Sequence, residues 1–182
     1  MSFWPSKDKS DMVISWIGLA VVLIGGGAGI VEYQSNQKEN RVSNTLTVLE
    51  RSYKPPVLKA RQAVDIAWWN EGENIKAILL ASGTEQEVSK RLDNAVMNLI
   101  GKYKIRKHIF TLIEFYEEIS ICINENICDK QVAFELFGEG ATTFYNQNYL
   151  FIKRLRKKSN NNDIAGRLQS FRKEFRTWKN TE

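Results

Sequence analysis

Residues 105–123 read IRKHIFTLIEFYEEISICI. Within them Ile105, Ile109, Leu112, Tyr116, Ile119 and Ile123 recur at alternating steps of four and three. That stepping lays one apolar stripe along an α-helix, because about 3.6 residues complete a turn. A half-buried strand would need alternation at every second residue, which is missing. The segment therefore predicts a long amphipathic helix ending around Asn124-Glu125-Asn126. Its stripe has to be covered by other helices with matching faces.

Both flanks supply such faces. Upstream, Val42, Leu46 and Leu49 mark a helix that Lys54-Pro55-Pro56 stops, since proline disfavours the α conformation in the residue before it. Pro56 suits the first position of the next helix, where Ala60, Ala63, Val64, Ala67 and Trp68 form a stripe. Glu71-Gly72-Glu73-Asn74 is expected to break that helix, which continues as a short apolar piece, Ile75 to Ala81. Thr84 and Glu87 form a capping box ahead of Val88, Leu92, Ala95 and Leu99. Gly101 ends or kinks this helix. Downstream, Asp129 is the expected N-cap of a short helix, Lys130 to Phe137, that Gly138-Glu139-Gly140 breaks. Ala141, Phe144, Asn148, Phe151 and Leu155 follow on one face of a longer helix. Asp163 is expected to cap the last helix, whose stripe is Ile164, Leu168, Phe171, Phe175 and Trp178. No strand pattern and no internal repeat competes.

At the other end of the chain lies MVISWIGLAVVLIGGGAGIV, Met12 to Val31, without one charge. As a helix it would span about 30 Å, the thickness of a bilayer's hydrocarbon core. A transmembrane anchor is the first reading, with a cleaved signal peptide or a buried soluble helix as alternatives. Gly25 and Gly29 fit the G-x-x-x-G spacing that lets two membrane helices approach closely, which would make the anchor a site of homo-oligomerisation. The organisation expected is a polar tail at 1–11, a transmembrane helix at 12–33, and a linker or helix extension at 34–44. A helical domain fills 45–182. The fold class is all-α, one N-terminal transmembrane helix followed by a soluble bundle of about five to seven helices. Lys7 and Lys9 before the anchor balance Lys38 and Arg41 after it. A short translocatable tail and the lack of a disulfide framework favour a cytoplasmic domain.

The net charge of +5 is unevenly placed. Lys/Arg residues crowd into Lys153–Lys179, where the only acidic residues are Asp163 and Glu174. Lys153, Lys157, Lys158, Arg167, Arg172, Lys173, Arg176 and Lys179 form the candidate basic surface. Such a surface beside an anchor suits anionic lipid headgroups or an acidic protein partner. Nucleic acid is a weaker reading, because Phe171, Phe175 and Trp178 lie on the packing stripe.

Little else suggests chemistry. The single histidine, His108, lies in a basic stretch and excludes histidine-rich metal sites. Cys122 and Cys128 are spaced wrongly for a zinc knuckle and read as two buried free thiols. A single disulfide across a turn would instead fit a domain outside the cytosol. Glu114, Glu117 and Glu118 share a helix side, but no second helix repeats the pattern for a metal. Glu117 sits in an apolar row with Ile113 and Ile121, so it needs a partner. Arg154 and Arg156 are the expected partners in a structural ion pair. No phosphate-binding loop, nucleophile–base set, catalytic residue or cofactor site is visible.

The run Leu112-Ile113-Glu114-Phe115-Tyr116-Glu117, a glycine-flanked short helix and a helix ending Ile152-Lys153-Arg154-Leu155-Arg156 resemble a family, domain of unknown function 4760. Phe115-Tyr116-Glu117 and Arg156 match its aromatic–aromatic–Glu and late Arg. The resemblance implies a membrane-anchored all-α protein from a bacterium or prophage and implies no activity; the location expected is the bacterial inner membrane. The function expected is an interaction or regulatory module at the membrane surface. A membrane-associated effector or enzyme with an unrecognised site, and a tethered nucleic-acid binder, are the alternatives.

Overall fold

Six helices and no strand make up residues 34–181, the part of the chain that the computed structural model describes. They are α1 (34–52), α2 (Val57–Leu80), α3 (Glu85–Lys102), α4 (Arg106–Asn124), α5 (Lys130–Ser159) and α6 (Gly166–Lys179). The chain divides between Asn40 and Arg41 into two units. Of the first, residues 34–40 are described and are helical. The core belongs to the second, Arg41–Glu182. Met12–Val31, with Gly25 and Gly29, lies outside the described residues. Among the described residues no helix is long and apolar enough to cross a membrane.

Helix α4 is the centre of the second unit. It packs against α2, α5 and α6. Its expected stripe is buried, and so are Ile113, Phe115 and Ser120 beside it. One stripe would serve a surface helix; three helical neighbours need a wider apolar sector. Each fully buried Leu, Ile or Phe contributes roughly 1.5–3 kcal/mol relative to exposure.

Two expected breaks are absent. Helix α2 runs through Glu71–Asn74 without interruption. Gly72 faces open space there, so it costs about 1 kcal/mol of helix propensity but ends nothing. Glu71 meanwhile ties α2 to the end of α3, accepting hydrogen bonds from Lys102 Nζ at 2.6 Å and the Tyr103 hydroxyl at 3.3 Å. Helix α5 likewise runs through Gly138 and Gly140. Gly138 is there for contact: a Cβ on it would lie 2.6 Å from Phe175 Cγ, with two further ring carbons nearer still. The missing side chain lets α6 lie close against α5. Phe134 fills the same contact, with ring centroids 5.3 Å from Phe171 and 5.6 Å from Trp178.

Helix ends follow local chemistry in two cases. The Thr84 hydroxyl accepts from the Glu87 amide at 3.3 Å, and the Glu87 carboxylate accepts from the Thr84 amide at 2.9 Å. Asp129 accepts from the Val132 amide at 3.0 Å. The last helix departs from expectation. It starts at Gly166, after Ala165 in the left-handed region (φ 57°), so Asp163 is not its cap.

Helix α1 keeps Val42 and Leu49 of its expected stripe half-buried but not Leu46. Thr45, Val48 and Ser52 are buried, whereas Leu46 is 49% exposed. Both hydroxyls satisfy themselves inside the helix, Thr45 donating to the Arg41 carbonyl at 2.8 Å and Ser52 to the Leu49 carbonyl at 2.7 Å. A hydroxyl with a partner is cheap to bury.

Candidate functional site

The expected ion pair of Glu117 with Arg154 and Arg156 is not formed. Glu117 instead accepts a hydrogen bond from the Arg167 backbone amide at 3.2 Å. That amide is one of the unsatisfied donors in the first turn of α6, and Ala165 has no side chain with which to cap it. The carboxylate therefore closes a helix start from another helix, where negative charge is also favoured by the helix dipole. Arg154 is bound to Asp93 of α3. Arg156 donates to the Ile164 carbonyl at 2.8 Å and to Gln169 Oε1 at 3.0 Å, holding the α5–α6 turn against both helices. All three residues are structural, but each serves a different contact.

The cysteines are not free thiols. Cys122 and Cys128 form a disulfide across the α4–α5 turn. That turn receives α1: the Asp129 amide donates to Thr45 Oγ1 at 2.9 Å, and Asn44 donates to the Ile127 carbonyl at 3.0 Å. The bridge thus fixes the loop on which the domain's first helix is seated.

Most of the candidate basic residues stay in water. Lys153, Lys157 and Lys158 on α5, and Arg167, Lys173 and Arg176 on α6, are exposed, and none has an acidic partner among the described residues. The other two are engaged. Arg172 stacks over Tyr145 at 4.6 Å and donates to Asn146 at 3.0 Å, and Lys179 pairs with Glu139. Lys153, Lys157 and Lys90 share a cleft of about 770 Å³ between α3 and α5, whose acidic members are Asp93, held by Arg154, and Glu85. Phe171 and Phe175 are buried, and Trp178, half-buried, packs on Phe134.

A second concavity, of about 310 Å³, lies where α2 and α5 flank α4. Its floor includes Tyr116, only 5% exposed. The Tyr116 hydroxyl has no hydrogen-bond partner among the described residues, and Gly140 leaves the space beside it, since a Cβ there would come within 3.0 Å of the oxygen. Burial pushes the Tyr116 pKa up to about 12, with Asp65 adding to the rise and Arg61 opposing it. Arg61 and Asp65 line the groove from α2, and Thr143 and Gln147 line it from α5. Burial raises the Asp65 carboxyl above its ordinary range, against the pull of Arg61. Sequence reading assigns Tyr116 to the core stripe and passes over Arg61 and Asp65. Nothing in local spacing marks a groove made by three separate helices.

Glu114, Glu117 and Glu118 do not gather around a common point. Glu114 is exposed, Glu117 caps α6, and Glu118 takes a bidentate contact from Arg51 at 2.5 and 2.9 Å. Among the described residues no group of three His, Cys, Asp or Glu side chains could hold a metal ion.

These features define an all-α domain built around one central helix, with a polar groove on one side and a basic surface on its last two helices. The chain belongs to the family described as Domain of unknown function (DUF4760), whose profile matches residues 19–177. The match covers most of the chain and begins inside the uncharged N-terminal stretch. No curated protein and no solved structure matches.

Proposed function

We propose that this chain is a single-pass membrane protein of the bacterial inner membrane, anchored by Met12–Val31. Its helical domain is a non-catalytic interaction module that rests against anionic lipid headgroups. The observation that carries this reading is the set of exposed, unpaired cations on α5 and α6 in a chain that also contains a bilayer-length uncharged stretch. Each such cation held near an anionic surface contributes about 1 kcal/mol, so three facing it together give a useful bias without permanent attachment. Glu117 and Glu118 serve two separate contacts and Glu114 faces solvent apart from them, which favours an interaction module over a carboxylate enzyme.

The disulfide favours the oxidising face of the membrane for the domain, the reverse of the orientation expected from the sequence. A reporter fused after Glu182 separates the two: activity restricted to an extracytoplasmic reporter supports this placement, and activity of a cytoplasmic one sinks it. Gly25 and Gly29 are proposed to pair two anchors; changing both to Leu is expected to lower the oligomeric state in membranes. Sedimentation of Arg41–Glu182 with vesicles tests headgroup contact. Binding is expected with anionic vesicles and should fall as salt is raised, because exposed charges are screened over about 10 Å at 0.1 M.

A further inference from the structure

We infer that the outer face of α2 pairs with the same face of a second copy of this chain, the two helices running antiparallel. From Lys59 to Leu80, stepping alternately by three and four residues, every position is exposed. That stepping is the one by which a helix packs along another helix. The opposite side of α2, with Ala60, Val64 and Ala67 buried, already packs on α3 and α4. The exposed stripe is therefore a second one, which the domain itself leaves uncovered. At its middle Trp69 is 86% exposed and Ile66 58%, and Leu80 ends it at 77%. Tryptophan is ordinarily among the better-covered side chains. Two large apolar groups one turn apart on an uncovered helix face mark an interaction surface.

The charges on the stripe select the occupant. Lys59, Glu73 and Lys76 are exposed and make no ion pair among the described residues. An anionic bilayer or a nucleic acid laid along this face would meet Glu73 as like charge. A second copy of the helix answers both signs, and in one direction only. Parallel pairing sets Lys59, Glu73 and Lys76 each against itself. Antiparallel pairing, with the two-fold axis level with the Ile66–Trp69 turn, puts Ile66 of each copy beside Trp69 of the other. Glu73 then stands about 8 Å along the helix from the axis; on the other copy Gln62 stands at that same height and Lys59 about one turn beyond. The Glu73 carboxylate can accept from both side chains. Lys59 of one copy and Lys76 of the other come level on opposite flanks of the seam, with Glu73 between them. The contact is isologous, so every interaction is made twice and the assembly closes as a dimer. Neither the anchor glycines nor the cations of α5 and α6 take part, so this reading stands or falls apart from the membrane one.

The test is thiol crosslinking of the full chain in detergent, with and without Gly25→Leu and Gly29→Leu, which separates this pairing from that of the anchors. Cys122 and Cys128 are closed in their disulfide, so a short bis-maleimide reads only an introduced cysteine. Ile66→Cys is expected to give a crosslinked dimer in both backgrounds, and Glu135→Cys, exposed on α5, to give none. Gln62→Cys mixed with Glu73→Cys should crosslink, whereas Glu73→Cys alone should not. Adding Trp69→Glu to Ile66→Cys should cut the yield by about tenfold or more, as for a central aromatic anchor. It should leave the helix content unchanged, because the Trp69 side chain is exposed. The assignment is overturned by the absence of a dimer with Ile66→Cys or by a yield that Trp69→Glu leaves unchanged. Glu73→Cys crosslinking to itself as readily as to Gln62→Cys also overturns it. So does a chain that stays monomeric while a fluorophore on Ile66→Cys reports entry into lipid vesicles, which would give this face to the bilayer.

Discussion

Glycine-to-alanine changes at two helical positions should move stability in opposite directions, for reasons read from the packing. At Gly72 in α2 an added Cβ meets nothing within 4 Å. Only the helix preference remains, and it favours alanine by about 1 kcal/mol. At Gly138 in α5 the same preference applies, but the new methyl would fall 2.6 Å from Phe175 Cγ. A normal carbon–carbon contact needs about 3.5–4 Å, so the helices must part by roughly an ångström. Phe175 is 4% exposed and packs on Phe134 and Trp178, which blocks its escape into solvent. Overpacking of this kind costs about 1–3 kcal/mol, and here it also loosens the aromatic cluster around Phe134. With Phe175 unable to escape, the overpacking falls in the upper part of that range, about 2–3 kcal/mol, so Gly138→Ala is expected to destabilise by about 1–2 kcal/mol once the helix gain of about 1 kcal/mol is subtracted. Thermal unfolding followed by circular dichroism reads both variants. Gly72→Ala should raise the melting temperature by about 2–4 °C and Gly138→Ala should lower it by a similar or larger amount. Gly138→Ala as stable as the parent would refute the close approach of α5 and α6.

Three further perturbations follow from the contacts around α4. Glu117→Ala should cost about 1 kcal/mol and Glu117→Gln less, because glutamine keeps an oxygen for the Arg167 amide while losing the charge; urea denaturation of both variants checks the order. Reduction of Cys122–Cys128, or their joint change to Ser, should lower stability by about 2 kcal/mol, as expected for a short closed loop, and should speed hydrogen exchange in α1 at Thr45. The raised Tyr116 pKa gives a signed pH dependence. Below about pH 10 the hydroxyl is protonated in both states and has no effect. Between there and the folded value of about 12 the unfolded chain releases a proton that the fold retains, so stability falls as pH rises. Denaturation midpoints of the parent, measured against Tyr116→Phe, should diverge over that window, with the parent losing roughly 1.4 kcal/mol per pH unit relative to the variant.

Local signals were read well from the sequence and contacts between distant elements poorly. Thr84 and Asp129 announce their own caps because both partners lie within four residues. The stripes of α4 and α6 stand out because each helix repeats its apolar step over several turns. Gly138 was misread as a stop, since glycine that shapes a helix contact and glycine that ends a helix look alike without the Phe175 ring beside them. Glu117 was recognised as needing a partner, but a backbone amide fifty residues away leaves no trace in residue type. In helix α1 the expected stripe holds at Val42 and Leu49, which are half-buried, but not at Leu46, because Thr45 and Ser52, with hydroxyls bonded to their own helix, take buried positions beside Val48. The groove around Tyr116 leaves no mark in the sequence, because its lining comes from three separate helices.

The most direct test of the membrane-surface account is the affinity of Arg41–Glu182 for vesicles containing anionic lipid, measured with and without Lys153, Lys157 and Lys158. These three are exposed at the end of α5 and bear no ion pair among the described residues. At about 1 kcal/mol for each cation near the surface, changing all three to Gln should weaken binding by about a hundredfold at low salt, and zwitterionic vesicles should bind neither protein. Equal affinity of the parent and the triple variant for anionic vesicles, or equal binding to both kinds of vesicle, would contradict the claim that these helices lie against charged headgroups.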